Sequence, residues 1–198
     1  MAWTATRTLV LCLAGSLSIH SLAAAAGQAG AGWTVLLDGN SLKGWNVIGD
    51  ANWTVADGAV QADRGSGFLV TPASYRDFQI TLEFWVSDDA NSGVFLRCSD
   101  PKAINQMNAY EVNIFDKRPD QSYRTGGIVD VEKPGSVIQT GGKWNTYDIT
   151  ARGSQLTVVL NGAKVVDVKD TKHVDGPIAL QYGAGTVKFR NVRIRQLQ

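Results

Sequence analysis

The segment Phe78–Val86 constrains the fold more than any other part of the chain. Over its nine residues, apolar side chains alternate strictly with Gln, Thr, Glu and Trp. Successive side chains of a strand point to opposite faces of a sheet, so this period of two predicts a strand with one buried face. Runs of similar character predict further strands at residues 33–37, 67–70, 91–97, 110–116, 128–131, 144–150, 178–182 and 187–197.

Two hairpins are predicted from dipeptides that favour tight turns. Asp57-Gly58 lies between two short strand-like runs, and Asn161-Gly162 lies between two longer ones. Both dipeptides are typical of primed two-residue turns, whose twist matches that of the flanking strands. The predicted hairpins pair residues 53–55 with 59–61 and residues 156–160 with 163–168.

The last predicted strand contains a change of register. Val187 and Phe189 fall on one face, whereas Val192 and Ile194 fall on the other. A bulge near residues 190–191 would keep all four apolar side chains on the buried side. Since no window shows a sustained helical period and short strands recur, the sequence predicts an all-β fold, an antiparallel two-sheet sandwich.

The amino terminus has the order of a secretory signal peptide. Arg7 precedes an apolar run at residues 8–22, and four alanines end at Ala26. The run is too short for a comfortable membrane span, so we expect no membrane anchor. The prediction is a cleaved signal over residues 1–26, a single domain over residues 27–198, and export to the periplasm or the medium.

Charge and cysteine content narrow the classes of partner. The full chain has a formal net charge of +1, and loss of Arg7 with the signal leaves it neutral. A neutral chain argues against nucleic acid as a partner, since such proteins are usually basic. Cys98 alone remains after cleavage, so no intramolecular disulfide can form, and we expect Cys98 to be a small buried residue.

Two of the predicted strands carry charged residues. By strand parity, Arg97 shares a face with Phe95, and Glu111 shares a face with Asn113. If these strands are neighbours, the charged faces could form the floor of a site for a polar ligand. The alternative is a solvated sheet face with a surface ion pair that contributes little to stability. Spacing alone does not choose between them.

A series of short motifs, in order along the chain, resembles the family formerly called DUF1080, now named for 3-keto-disaccharide hydrolase and 3-keto-glucoside lyase or hydratase activity. The resemblance covers essentially the whole chain after the predicted signal. It is carried by Leu36-Leu37-Asp38-Gly39-Asn40-Ser41-Leu42-Lys43-Gly44-Trp45 and by residues 53–58, 91–97, 110–116, 125–128, 143–146, 160–162, 176–181 and 189–195.

The resemblance implies a concanavalin A-like jelly-roll sandwich of the lectin and glucanase type. It also implies a carbohydrate substrate already oxidised at C3, which a separate sugar 3-oxidoreductase would supply. A C3 ketone acidifies the C2 proton, so the glycosidic bond can break by elimination and the product can then be hydrated. No cofactor is certain, although carboxylates at such a site could hold a divalent metal ion.

Site residues follow from strand face and resemblance together. Glu111 is the candidate base or metal-binding carboxylate, Arg97 would stabilise the enolate, and Asp116 is a candidate acid. The candidate substrate-binding residues are Asn113, Lys133, Trp144, Gln181 and Tyr182.

One departure from the family pattern concerns the segment after Gln181. Many members have a histidine shortly after the corresponding Leu-Gln, whereas Tyr182-Gly183-Ala184-Gly185 follows here. If that histidine moves a proton or binds a metal, this chain lacks it. The alternative to an enzyme is therefore a non-catalytic carbohydrate-binding module of the same fold, and a third hypothesis is a structural envelope protein.

Overall fold

The computed structural model describes residues 1, 2 and 32–198, so the predicted signal peptide lies almost wholly outside the described residues. Within that part of the chain, no helix is long and apolar enough to cross a membrane. The strands are β1 (Thr34–Leu37), β2 (Asn46–Gly49), β3 (Thr54–Ala56), β4 (Ala59–Ala62), β5 (Gly67–Val70), β6 (Phe78–Val86), β7 (Asn91–Leu96), β8 (Tyr110–Ile114), β9 (Trp144–Arg152), β10 (Gln155–Leu160), β11 (Ala163–Lys169), β12 (Ala179–Ala184) and β13 (Val187–Gln196).

The strands form two antiparallel sheets that pack face to face. The larger sheet has eight strands in the order β11-β10-β9-β6-β13-β4-β3, with β1 also paired to β13. The smaller sheet has five strands in the order β2-β5-β12-β7-β8. The predicted all-β, antiparallel two-sheet sandwich is confirmed.

The core lies between the sheets and follows from strand alternation. In β6, Phe78, Ile80, Leu82, Phe84 and Val86 are all buried, while the residues between them are half-buried on the outer face. They pack in one cluster with the inward side chains of the smaller sheet. Burial of an apolar side chain of this size stabilises the fold by about 1.5–3 kcal/mol, so this cluster dominates the stability of the domain.

Both predicted hairpins are present, with the backbone that their dipeptides favour. Asp57 and Gly58 have φ angles of 52° and 70°, and Asn161 and Gly162 have φ angles of 50° and 82°. Positive φ at both central residues defines a type I′ turn.

The predicted bulge in β13 is confirmed. Its register with β6 shifts between Arg190 and Arg193, and Asn191 has a φ of 52°. All four apolar residues of the strand are consequently buried: Val187, Phe189, Val192 and Ile194.

Two predicted boundaries differ from the structure. Residues 128–131 form only isolated bridges, from Ile128 to Val112 and to Glu132, because the chain turns back at Asp130, whose φ is 60°. Strand β2 was not predicted, since Asn46 and Gly49 are poor strand formers and its pairing with β5 is a tertiary contact.

The position of Arg97 corrects the strand-parity prediction. Its φ of 54° is left-handed, so β7 ends at Leu96 and the alternation reverses. The Arg97 side chain is 1% exposed and donates from Nε to Arg76 O at 2.8 Å and from Nη1 to Gly153 O at 2.9 Å. It also reaches His173 O and the Asp77 carboxylate, both at 3.2 Å.

Arg97 therefore ties together loops from both sheets and does not share the face of Glu111. The same reversal places Cys98 in a small cluster with Phe95, Val70 and Ala179, outside the main core. Cys98 is buried as predicted, but on the other side of the smaller sheet.

We predict that Arg97→Met lowers the free energy of unfolding by about 3 kcal/mol or more, because it leaves several buried carbonyl oxygens without donors. Urea denaturation followed by fluorescence measures this change. The control is Arg64→Met, because the Arg64 side chain is 83% exposed and pairs with Asp63 on the surface. The free energy of unfolding of this variant should stay within about 0.5 kcal/mol of wild type. Equal, small changes in both variants would contradict the structural role of Arg97.

Candidate active site on the outer face of the smaller sheet

Neighbouring strands place the polar residues of the smaller sheet in two rows on its outer face. In the first row Gln181 of β12 lies opposite Gly93 of β7, which lies opposite Asn113 of β8. In the second row Ala179 lies opposite Phe95, which lies opposite Glu111. Because alternate residues share a face, these two rows form one surface that turns away from the core.

Gly93 lies at the centre of this surface, where the side chains of Glu111 and Phe95 close over it. A Cβ atom at this position would lie 3.3 Å from Val112 O and 3.4 Å from both Glu111 Cγ and Phe95 Cε2. A side chain here would occupy the space between Glu111 and its neighbours. Glycine inside a strand often marks a place where a ligand or another backbone comes close.

Glu111 is the exceptional charged group of the surface. It is 7% exposed, and its carboxylate makes no hydrogen bond or ion pair with any described residue. Burial raises the pKa of Glu111 to about 7, while the charge of Arg118 lowers this pKa and that of Asp130 raises it. A carboxylic acid with a pKa near neutrality can exchange protons with a substrate in either direction.

Two amide oxygens on the same face also have no partner. Asn113 Oδ1 and Gln181 Oε1 are both buried without a hydrogen bond. The Asn113 amide is oriented by its nitrogen, which donates to Tyr123 O. Buried polar atoms are nearly always hydrogen-bonded in folded proteins, so these oxygens favour a ligand that supplies donors, such as sugar hydroxyls.

The other part of the surface is apolar. Phe95 and Phe68 meet edge to face, with ring centroids 5.3 Å apart. Half-buried Ile48 and Ile104 pack against the same cluster. Glu111 therefore lies where a polar and an apolar area meet, and low polarity around a carboxyl group is what raises its pKa.

Asp116 lies just after β8, as predicted, but its carboxylate is already engaged. It accepts hydrogen bonds from Thr140 N at 2.6 Å and Gly141 N at 3.2 Å. It also forms an ion pair with Arg124 at 3.8 Å, and both side chains are 8% exposed. These contacts fix the loop at residues 115–143, so Asp116 holds the loop in place and is not a free acid beside Glu111.

Three predicted substrate-binding residues lie elsewhere. Tyr182 faces the core at 4% exposure and donates its hydroxyl to Gly185 O at 3.0 Å. Trp144 lies on the outer face of the larger sheet, where Arg190 covers its ring at 3.9 Å. Lys133 is exposed on a loop, and the charges that act on Glu111 belong to other residues. Only Asn113 and Gln181 share the face of Glu111.

At Gly183, directly after Tyr182, the fold leaves no room for a side chain. A Cβ atom at Gly183 would lie 3.0 Å from both Asn91 Nδ2 and Asn91 O, so Asn91 occupies that space. His173 does not replace the histidine that this chain lacks here, because it is 7% exposed and packs against the Tyr110 ring at 4.8 Å. Tyr110 points into the core, on the side of β8 opposite to Glu111.

The donor set on this surface does not fit a divalent metal ion. Among residues 1–2 and 32–198, no three His, Cys, Asp or Glu side chains are grouped so that they could share one. Glu111 is a single carboxylate, whereas magnesium and calcium sites usually combine several oxygen ligands. No chemical step is therefore assigned to a metal.

Sequence reasoning missed two residues of this surface, Gly93 and Arg118. Glycine within a strand was the available signal for Gly93. Arg118 belongs to a charged loop, and nothing in the sequence shows which of its side chains turns toward Glu111.

The family model of the 3-keto-alpha-glucoside-1,2-lyase-like domain matches residues 32–195, which is most of the chain. The chain belongs to this family. It is also 27% identical over 77 residues to the 3-keto-disaccharide hydrolase of Bacteroides thetaiotaomicron. That match covers 32% of this chain and only 27% of the hydrolase.

Solved structures show the same fold. A candidate glycosyl hydrolase from Parabacteroides distasonis superposes with a TM-score of 0.75 at 21% identity, covering 84% of this chain and 95% of that one. The carbohydrate binding module CBM66 from Bacillus subtilis superposes with a TM-score of 0.63 at 18% identity, covering 77% and 96%. At these identities the likeness concerns the fold alone.

We predict that Glu111→Gln stabilises the protein in a pH-dependent way. The folded pKa of about 7 lies above the ordinary value of 4.5, so wild-type stability is lost as pH rises from 4.5 through 7. The glutamine variant has no such loss and should be more stable than wild type at pH 8, by on the order of 3 kcal/mol. At pH 4 the two proteins should be equally stable.

Urea denaturation at both pH values measures this difference, with Glu132→Gln as the control, since Glu132 is half-exposed on a nearby turn. A difference between Glu111→Gln and wild type that is the same at pH 4 and pH 8 would contradict the raised pKa.

Proposed function

We propose that this protein cleaves 3-keto-glycosides by elimination across C1 and C2, with Glu111 as the base. The observation that carries the proposal is the Glu111 carboxyl group, which is buried, has no partner among the described residues and has a pKa of about 7. The membership of the chain in the lyase-like family supports the substrate class.

The sugar would lie over the outer face of the smaller sheet, beside Glu111. There its hydroxyls could donate to Asn113 Oδ1 and Gln181 Oε1, which otherwise lack partners. In this pose the C2 proton lies within reach of Glu111 from the second row of the sheet. Holding the substrate in this geometry increases the rate because the base and the C2 proton are already close together and correctly oriented.

The reaction begins when the Glu111 carboxylate removes the proton on C2. The electrons of that bond form an enolate with the C3 ketone, and expulsion of the oxygen substituent from C1 then gives a 2-hydroxyglycal that keeps its ketone. The leaving oxygen takes a proton, either from Glu111 or from water. Addition of water at C1 and return of a proton to C2 would complete net hydrolysis.

The substrate must already carry a ketone at C3, which Glu111 cannot create. We therefore assign its formation to a separate sugar 3-oxidoreductase. The predicted signal peptide supports export, so we propose that the reaction takes place in the periplasm or outside the cell.

A non-catalytic carbohydrate-binding module is the second candidate. The specific observation in its favour is the segment after Gln181, where many family members have a histidine and this chain has none between Tyr182 and Gly185. The same fold serves the carbohydrate binding module CBM66. A binding module would use the amide oxygens of Asn113 and Gln181 and would not need the raised pKa of Glu111.

The deciding experiment compares p-nitrophenyl 3-keto-glucoside with its unoxidised parent. We expect release of nitrophenol from the keto compound only. Glu111→Gln should lower kcat by about 10²–10⁴-fold, as expected for loss of a general base, while Glu132→Gln should retain activity. Saturable binding of the keto compound without release would favour the binding module, and unchanged turnover in Glu111→Gln would remove Glu111 from the mechanism.

The pH dependence gives a separate test of the base. A base acts in its ionised form, so kcat/KM should rise with pH and level off above the pKa of Glu111, which is about 7. Initial rates between pH 5 and 9 measure this profile. A rate that is already maximal at pH 5 would show that the catalytic base has an ordinary carboxyl pKa.

A further inference from the structure

We propose that Arg118 is the positively charged catalytic residue of this site and that its guanidinium stabilises the enolate oxygen formed at C3. This inference rests on the proposed function, because it assigns a further role in the same reaction. It replaces the sequence-based assignment of that role to Arg97, whose N–H groups are engaged at the end of the sandwich.

The loop that carries Arg118 is fixed over the outer face of the smaller sheet. At one point Asn113, in the strand of Glu111, donates its side-chain amide to Tyr123 O. At another, Thr125 Oγ1 accepts a hydrogen bond from Phe115 N at 2.8 Å. These two bonds hold the loop against β8 after Arg118, and Arg118 N itself donates to Phe115 O at 3.3 Å.

Further hydrogen bonds set the shape of the loop around Arg118. Gln121 donates its side-chain amide to Arg118 O and to Asp116 O, the latter at 3.3 Å. Asp120 accepts from Ser122 N at 3.0 Å and begins the short 3₁₀ helix at Gln121–Tyr123. These contacts hold the backbone of Arg118 in place.

The Arg118 side chain itself is available. It is half-buried, and its Nε is buried without any hydrogen-bond partner. No carboxylate among residues 1–2 and 32–198 forms an ion pair with it. Arg124, in the same loop, is instead paired with Asp116 and Gln121. A half-buried guanidinium whose Nε has no partner favours an anionic or carbonyl ligand.

Two charged groups act on Glu111, and they oppose each other. Arg118, from the loop after β8, favours the ionised carboxylate, and Asp130, from the turn beyond it, disfavours it. The hydrogen bond from Asn113 to Tyr123 O holds the Arg118 loop over the face that carries Glu111, and the charge of Arg118 acts on Glu111 from there. The same guanidinium can therefore face a substrate whose C2 proton is being removed by Glu111.

Chemically, the two residues divide the work of enolate formation. Glu111 accepts the C2 proton, so one carbon–hydrogen bond breaks and one oxygen–hydrogen bond forms. The electron pair moves to the C3 oxygen, where the positive charge of Arg118 stabilises it. As Glu111 becomes neutral, the negative charge passes to the substrate, and Arg118 interacts with it more strongly in the transition state than before.

The test separates enolate formation from bond cleavage. Methyl 3-keto-glucoside in deuterated water reports removal of the C2 proton as loss of its NMR signal, whether or not methanol departs. The variants are Arg118→Gln, Arg118→Lys and the control Lys117→Gln. Lys117 carries the same charge one residue away, is exposed, and acts on Asp89 instead of Glu111.

We expect Arg118→Gln to slow C2 exchange by about 10²-fold, as for loss of one oxyanion-stabilising group. Arg118→Lys should recover part of the rate, and Lys117→Gln should stay within about two-fold of wild type, as for ordinary surface changes. In Arg118→Gln, the Glu111 carboxyl signal, assigned with Glu111→Gln, should titrate at higher pH. Near-ultraviolet circular dichroism of Arg118→Gln should match that of wild type, which shows that the fold is intact. If Arg118 had only a structural role, the titration of Glu111 would not shift in such an intact variant.

The outcomes distinguish this inference from the proposed function. C2 exchange by wild type without release from the chromogenic substrate would overturn the lyase function and leave Arg118 in place. Release by wild type with normal exchange in Arg118→Gln would overturn Arg118 and keep the lyase function. If wild type neither exchanges the proton nor releases the product, both are overturned.

Discussion

Strand alternation in the smaller sheet is the constraint on which both core and candidate site depend. Within β8, Val112 points into the core while Glu111 and Asn113 point out of it, and the same backbone hydrogen bonds fix both sets. The core therefore determines the geometry of the site directly, since no strand can slip by one residue without exposing its apolar face. A site built on strands in this way is held more rigidly than one built on loops alone.

The second constraint is the loss of hydration around Glu111. A carboxyl group without a partner in an apolar setting destabilises the folded state when ionised, and the surrounding sandwich offsets this through its large core. The ionisable groups that have only a structural role differ from Glu111 in their contacts. The side chains of Arg97 and Asp116 are also largely shielded from solvent. Their polar atoms, however, pair with backbone carbonyl or N–H groups and with side chains of opposite charge. Lack of a partner, more than burial, distinguishes Glu111 from them.

Most of the fold follows from local sequence patterns, whereas the site follows from them only in part. The alternation of Phe78–Val86, both type I′ hairpins and the bulge in β13 depend on neighbouring residues, so the sequence predicts them. Glu111, Asn113 and Gln181 also follow from parity within their strands. Arg97 does not, because its left-handed backbone reverses the parity. The location of Trp144 depends on which sheet its strand joins, and the location of Arg118 depends on loop contacts. Neither can be read from the spacing of neighbouring residues.

The place of β13 in the larger sheet has a consequence for how the protein is made. This last strand lies in the interior of the sheet and pairs with β1, β4 and β6, which come from the first half of the chain. Until β13 has been synthesised, β4 and β6 have no strand between them, and the sheet is divided in two. Pairings so distant in sequence also form slowly. The larger sheet therefore stays incomplete until β13 has been made and has inserted between β4 and β6.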